Sequence, residues 1–200
     1  MASSSTDIAN LALTKLGALP IAALSDDSRA ARTLAAIYDA VRDAELRDRP
    51  WKFAMARAEL PAQAEAPGFG YARQYVLPGD CLRLEQVGEG YGAFSLADYQ
   101  GPGGAPFQVD GDSLLTDLPA PLKIRYVKRV ADVSRYDAAF VQAFACRLAA
   151  EAAEALTQSP QKRQLALQEY QERIRQARRQ NAIEQAPEPL ADDSWIVGRL

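Results

Sequence analysis

At Pro50 the chain changes period, and any fold it adopts has to accommodate that change. Upstream, Leu34, Ile37, Tyr38, Val41 and Glu45/Leu46 keep a spacing of three and four residues, the signature of one helix face. Ser25, Asp26, Asp27 and Ser28 offer caps and a favourable negative charge where that helix begins, and it is expected to run to about Asp48. Arg49 is then biased away from helical backbone by the proline after it, and Pro50 has no N–H to donate. Beyond it Trp51, Phe53 and Met55 alternate with Lys52, Ala54 and Ala56, a strand-like period of two. A helix that stops on Arg-Pro and places two large aromatics in the next residues reads as a helix-to-strand junction pinned into a core.

The same two periods divide the rest of the chain. A first helix is expected from about Thr6 to Leu16, capped by Ser5 or Thr6 and closed by Gly17, with Ile8, Leu11, Ala12 and Leu16 on one face. Strands are expected in 71–78 and 121–130, and a hairpin in 107–117 around Asp110-Gly111. Between them lies a long loop, 88–106, with glycine at 88, 90, 92, 101, 103 and 104. From Tyr136 the helix period returns, with Val141, Phe144, Leu148, Ala152 and Ala155 in one stripe. Ala149, Ala150 and Ala153 permit a close neighbour. Ser159-Pro160 starts another helix, whose Leu167, Tyr170, Ile174, Ala177 and Asn181 form a seam. Pro187 and Pro189 end it. The expected fold is α+β, mainly α: a four-helix bundle built from both chain ends, with an inserted antiparallel β subdomain. The expected divisions are 1–57, N-terminal helices; 58–133, β subdomain; 134–186, C-terminal helical hairpin; and 187–200, extended tail.

Composition narrows the functional classes. The net charge is −3, so the chain as a whole is no basic nucleic-acid binder. Its charge is segregated: Leu84 to Leu122 holds no Lys or Arg, whereas 161–185 carries Lys162, Arg163, Arg173, Arg175, Arg178 and Arg179. Such segregation suits head-to-tail contact between copies as well as it suits a ligand. The basic helix 161–185 is also the feature that a DNA-binding regulator would use. The absence of histidine removes the commonest general base and metal ligand, and no cofactor or metal site is expected. Asp110-Gly111-Asp112 lacks the further ligands of a calcium loop and reads as a turn. Asp26-Asp27 reads as helix-start electrostatics, and nothing fixes the geometry of a glycosidase-like pair such as Glu85 and Asp112. Cys81 and Cys146 follow no metal or redox spacing and are expected as free thiols. MASSSTDIAN reads as no signal peptide, and no stretch approaches the ~18–20 apolar residues of a membrane span. The expectation is a soluble, non-enzymatic protein. In the tail, Trp195, Ile196 and Val197, followed by Arg199, form an apolar patch for either a partner or the chain's own helices.

The stretches DIANLALTKLGALPI, SDDSRAARTLAAIYDAVRDAELRDRPWKFAMARAEL, YVLPGDCLRLEQV and DDSWIVGR resemble, in that order, the tail tubular protein A family of tailed bacteriophages. The resemblance covers nearly the whole chain. Its strongest element is Tyr-x-x-x-Arg-Asp-x-x-Leu-Arg-x-x-Pro-Trp-x-Phe-Ala, met by Tyr38, Arg42, Asp43, Leu46, Arg47, Pro50, Trp51, Phe53 and Ala54. It departs at Asp48-Arg49, where the family more often has an uncharged residue. The resemblance implies a head-to-tail adaptor of the virion, made in the host bacterial cytoplasm. It implies a homo-oligomeric ring, commonly of twelve copies, between the portal protein and the tail nozzle protein, through which double-stranded DNA passes.

Overall fold

A computed structural model of the chain describes residues 4–88, 94–95 and 107–183; the side chains of 94–95 and 178–183 lie outside the description. Trp195, Ile196, Val197 and Arg199, where the sequence places an apolar patch, and nearly all of the glycine-rich stretch therefore fall outside the described residues. The protein is mixed α and β, with four α-helices and two small antiparallel sheets among the described residues.

The first helix, α1 (Ser5–Leu16), starts one residue earlier than expected, because Ser4 is the cap. Its hydroxyl accepts from the Asp7 amide while Asp7 accepts from the Ser4 amide, so two otherwise orphaned donors are satisfied reciprocally. Gly17 closes the helix at φ 64°, in the left-handed conformation that lets its N–H turn back to the Thr14 carbonyl. The buried face is Ile8, Ala9, Ala12, Leu13 and Leu16, so Leu13 takes the fully buried place expected of Leu11. The second helix, α2 (Arg29–Asp48), is capped by Ser28. Asp26 caps the preceding turn instead, accepting from the Ala22 and Ala23 amides, and Asp27 pairs with Arg32.

Beyond Pro50 the chain does not enter a strand at once. Lys52–Ala54 forms one turn of 3₁₀ helix, and β1 (Met55–Leu60) follows. The alternation of Trp51 and Phe53 is thus a tight turn that aims both rings at the helices. The sheets then form from β2 (Arg73–Val76), β3 (Cys81–Val87), β4 (Phe94–Ser95), β5 (Phe107–Asp110), β6 (Ser113–Thr116) and β7 (Leu122–Lys128). One sheet has the order β1-β7-β3-β4 and the other β2-β6-β5. Gly111, at φ 61°, makes the β5–β6 turn.

Two cores result. Leu60, Tyr75, Leu84, Val87, Phe107, Leu114, Leu122, Ile124 and Tyr126 pack together between the strands. Within the acidic span 84–122, the described residues Leu84, Val87, Phe107, Leu114 and Leu122 thus face inward, while Val109 is exposed. The helical core is organised around α3 (Ala138–Thr157), whose alanines let neighbours approach on several sides and whose Phe140, Phe144 and Leu148 are wholly buried. Against it pack α1, α2 and α4 (Pro160–Ile183). The buried seam of α4 runs through Ala166, Ile174 and Ala177 with Tyr170 half-buried, while Leu165 and Leu167 are exposed. Among the described residues no helix is long and apolar enough to cross a membrane.

Candidate functional site

The end of α2 is where the two cores meet, and every residue of the quoted motif is placed there or on the helix leading to it. On the apolar side Tyr38 meets Phe144 edge-on at 5.1 Å between ring centroids. Trp51, 1% exposed, meets Phe140 at 5.1 Å, and Phe53 meets Phe140 at 5.0 Å and Tyr136 at 5.5 Å. Leu46 is fully buried beside them. The Trp51 indole N–H donates to the Glu45 carbonyl at 3.2 Å, so the ring after the proline is tied back to the last turns of the helix before it. Pro50 itself is exposed; its role is to stop the helix so that this return is possible.

The polar residues of the motif reach the other way. Arg42 is 7% exposed and is held by Asp39 at 2.7 Å and Asp43 at 2.8 Å. Asp43 also accepts from Arg129, just beyond β7, at 2.7 Å. Arg47 donates to the Leu82 carbonyl on β3. Tyr136 closes the joint by donating from its hydroxyl to the Val130 carbonyl at 2.8 Å, and burial pushes that phenol up to about 12. Burial likewise raises Tyr38, whose hydroxyl has no hydrogen-bond partner among the described residues. Apolar members of the motif thus grip α3 while Asp43 and Arg47 grip the sheet. The arrangement fixes the angle between helices and strands.

One hub leaves little trace in the sequence. Glu45 is fully buried, accepts from the Tyr170 hydroxyl of α4 at 2.7 Å, and lies 3.6 Å from Arg147 of α3. Arg147 also bonds Asp48 at 2.9 Å and stands over the Tyr170 ring. Arg49 Nε lies 3.9 Å from Glu45 Oε1, too far for a hydrogen bond, and among the described residues both atoms are left without one. Burial raises the Glu45 carboxyl, and Tyr170 and Arg147 only partly counter it. Asp48-Arg49, where the chain departs from the resembled pattern, is therefore part of an ionic tie among α2, α3 and α4. The one legible signal was a carboxylate on an apolar stripe, four residues before an arginine.

The other candidates are scattered. Glu85 lies on β3, bound by Arg83, while Asp112 lies at the β5–β6 turn of the other sheet. Cys146 is buried and Cys81 half-buried, both free, with burial raising both thiols. On α4, Lys162 donates to the Leu16 carbonyl at 2.6 Å, and Arg173 and Arg175 face Glu169 and Glu172. No family model matches the chain, and no curated protein matches it either.

Proposed function

We propose that the chain is a structural head-to-tail connector of a tailed bacteriophage, copies of which form a ring between portal and tail nozzle through which DNA passes. The observation that carries this reading is the joint. The residues on which the resemblance rests are those that lock helices to sheets, so the motif encodes the relative orientation of two layers. Orientation is what a connector with one docking surface above and another below requires. In this reading the four helices act as one bundle that packs side by side around the ring. Its support is that α3 is in contact with each of the others, and that Lys15 on α1 bonds Glu169 on α4 at 2.5 Å. The protein serves as scaffold without catalysis or cofactor, and its tail 187–200 anchors the portal through Trp195, Ile196 and Val197.

Co-sedimentation with portal particles tests the reading. The full chain should sediment with them as rings, and a chain lacking 188–200 should stay folded yet lose stable attachment, since weak contacts repeated around a ring multiply. Failure of the full chain to bind portals, together with salt-sensitive binding of duplex DNA by the monomer, would favour the regulator using helix 161–185 instead.

A further inference from the structure

We propose that the charged face of the four-stranded sheet is a carboxylate-binding groove that takes the β5–β6 turn of a second copy of this chain. The proposal rests on the reading of the protein as a ring-forming connector. The groove, of about 510 Å³, is floored by β1, β7 and the end of β3, with Arg57, Glu59, Gln86, Gly88, Lys123 and Arg125 around it. Arg57 and Arg125 stand directly opposite each other in the β1–β7 register, and Glu59 and Lys123 form the next pair on the same face, 3.9 Å apart. Like charges directly opposite destabilise a sheet. Here the acid is spent on the lysine. Among the described residues neither Arg57 nor Arg125 has an ion-pair partner, and Arg125 Nε is buried without a hydrogen bond. Two adjacent guanidinium forks match two carboxylates.

The same chain presents that ligand. Asp110 and Asp112 flank Gly111 at an exposed turn. Among the described residues their side chains hydrogen-bond only to neutral neighbours, the Gln108 amide at 2.8 Å and the Ser113 hydroxyl at 3.4 Å. Phe69, 91% exposed, shares a surface hollow with Asp110 and offers an aromatic face on which a guanidinium stacks. The turn does not fill the groove of its own copy, whose lining holds no β5 or β6 residue. The contact is therefore between copies and between unlike surfaces, the kind that closes rings. A nucleic-acid backbone fits less well, because Glu59 sits inside the groove and the positive patch is too short to follow successive phosphates.

Sedimentation velocity of the full chain over a concentration series tests the contact, with circular dichroism checking that each variant is folded. Arg57→Glu/Arg125→Glu and Asp110→Arg/Asp112→Arg should each weaken self-association by about tenfold or more, and the four substitutions together should restore it. Phe69→Ala should weaken it without a charge change. Folded double variants that associate like the natural chain, a fourfold variant that does not recover, or a natural chain monomeric at every concentration each overturn the proposal. So does loss of duplex-DNA binding in Arg57→Glu/Arg125→Glu with self-association unchanged. Rings on portal particles that survive both double variants sink this contact and leave the connector reading standing. A natural chain that neither forms rings nor binds portals sinks the connector reading itself.

Discussion

Replacing Trp51 by alanine removes the side chain that joins the end of α2 to α3, and its surroundings set the size of the effect. The ring is 1% exposed, contacts Phe140 edge-on at 5.1 Å and Phe53 at 6.4 Å, and donates to the Glu45 carbonyl. Truncation forfeits the burial, leaves a cavity between α2 and α3, and strips a buried carbonyl of its donor. Buried tryptophans truncated to alanine cost about 3–5 kcal/mol, a large share of the ~5–15 kcal/mol that holds a domain folded. In a chain of this size that is a fall in melting temperature of about 6–20 °C. Urea denaturation followed by circular dichroism measures the loss directly. Because the chain has two tryptophans, Trp195→Phe makes the emission of Trp51 a local reporter of the same transition. Trp51→Phe separates the terms: it keeps most of the apolar contact and loses the hydrogen bond, so it should cost about 1–3 kcal/mol. A midpoint unchanged by Trp51→Ala would refute the account of the joint.

Burial raises the Glu45 carboxyl above its usual 4.5, so the folded chain holds that proton more tightly than the unfolded one. Its contribution is complete below that value and is lost as pH rises through the raised one. Glu45→Gln should therefore gain stability relative to the natural chain as pH climbs from about 4 to 7, and a difference that stays flat in urea titrations across that range contradicts the assignment. Gly17→Ala should cost about 1–2 kcal/mol, since Gly17 sits at φ 64° where a Cβ is strained, and thermal melts will show whether α1 tolerates it. Deleting 188–200 should leave the melting temperature unchanged while abolishing portal attachment; a lowered melting temperature would place the triplet on the chain's own helices instead.

What the sequence determined by itself was local. The period of α2, its start within 25–28, its end before Pro50, the Gly17 stop, the Ser159-Pro160 start of α4 and the Asp110-Gly111 hairpin are all set by residues within a few positions of one another. Steric restriction and capping act over that range. The tertiary structure decided what needed distant partners. The sheet's inner strand β3 was not legible, because register shifts between Cys81 and Arg83 and between Leu84 and Gln86 break the alternation that marks a strand. The turn at Lys52–Ala54 displaced the expected strand start, because the rings of Trp51 and Phe53 both find α3 from a 3₁₀ turn. Ala166 displaced Leu167 from the seam of α4, where the alanine-rich face of α3 packs. The joint's aromatics were readable as large and apolar. Its ionic tie was not, since Glu45 meets Arg147 and Tyr170 only after three helices have packed, and ion pairing across that distance leaves no period in the chain.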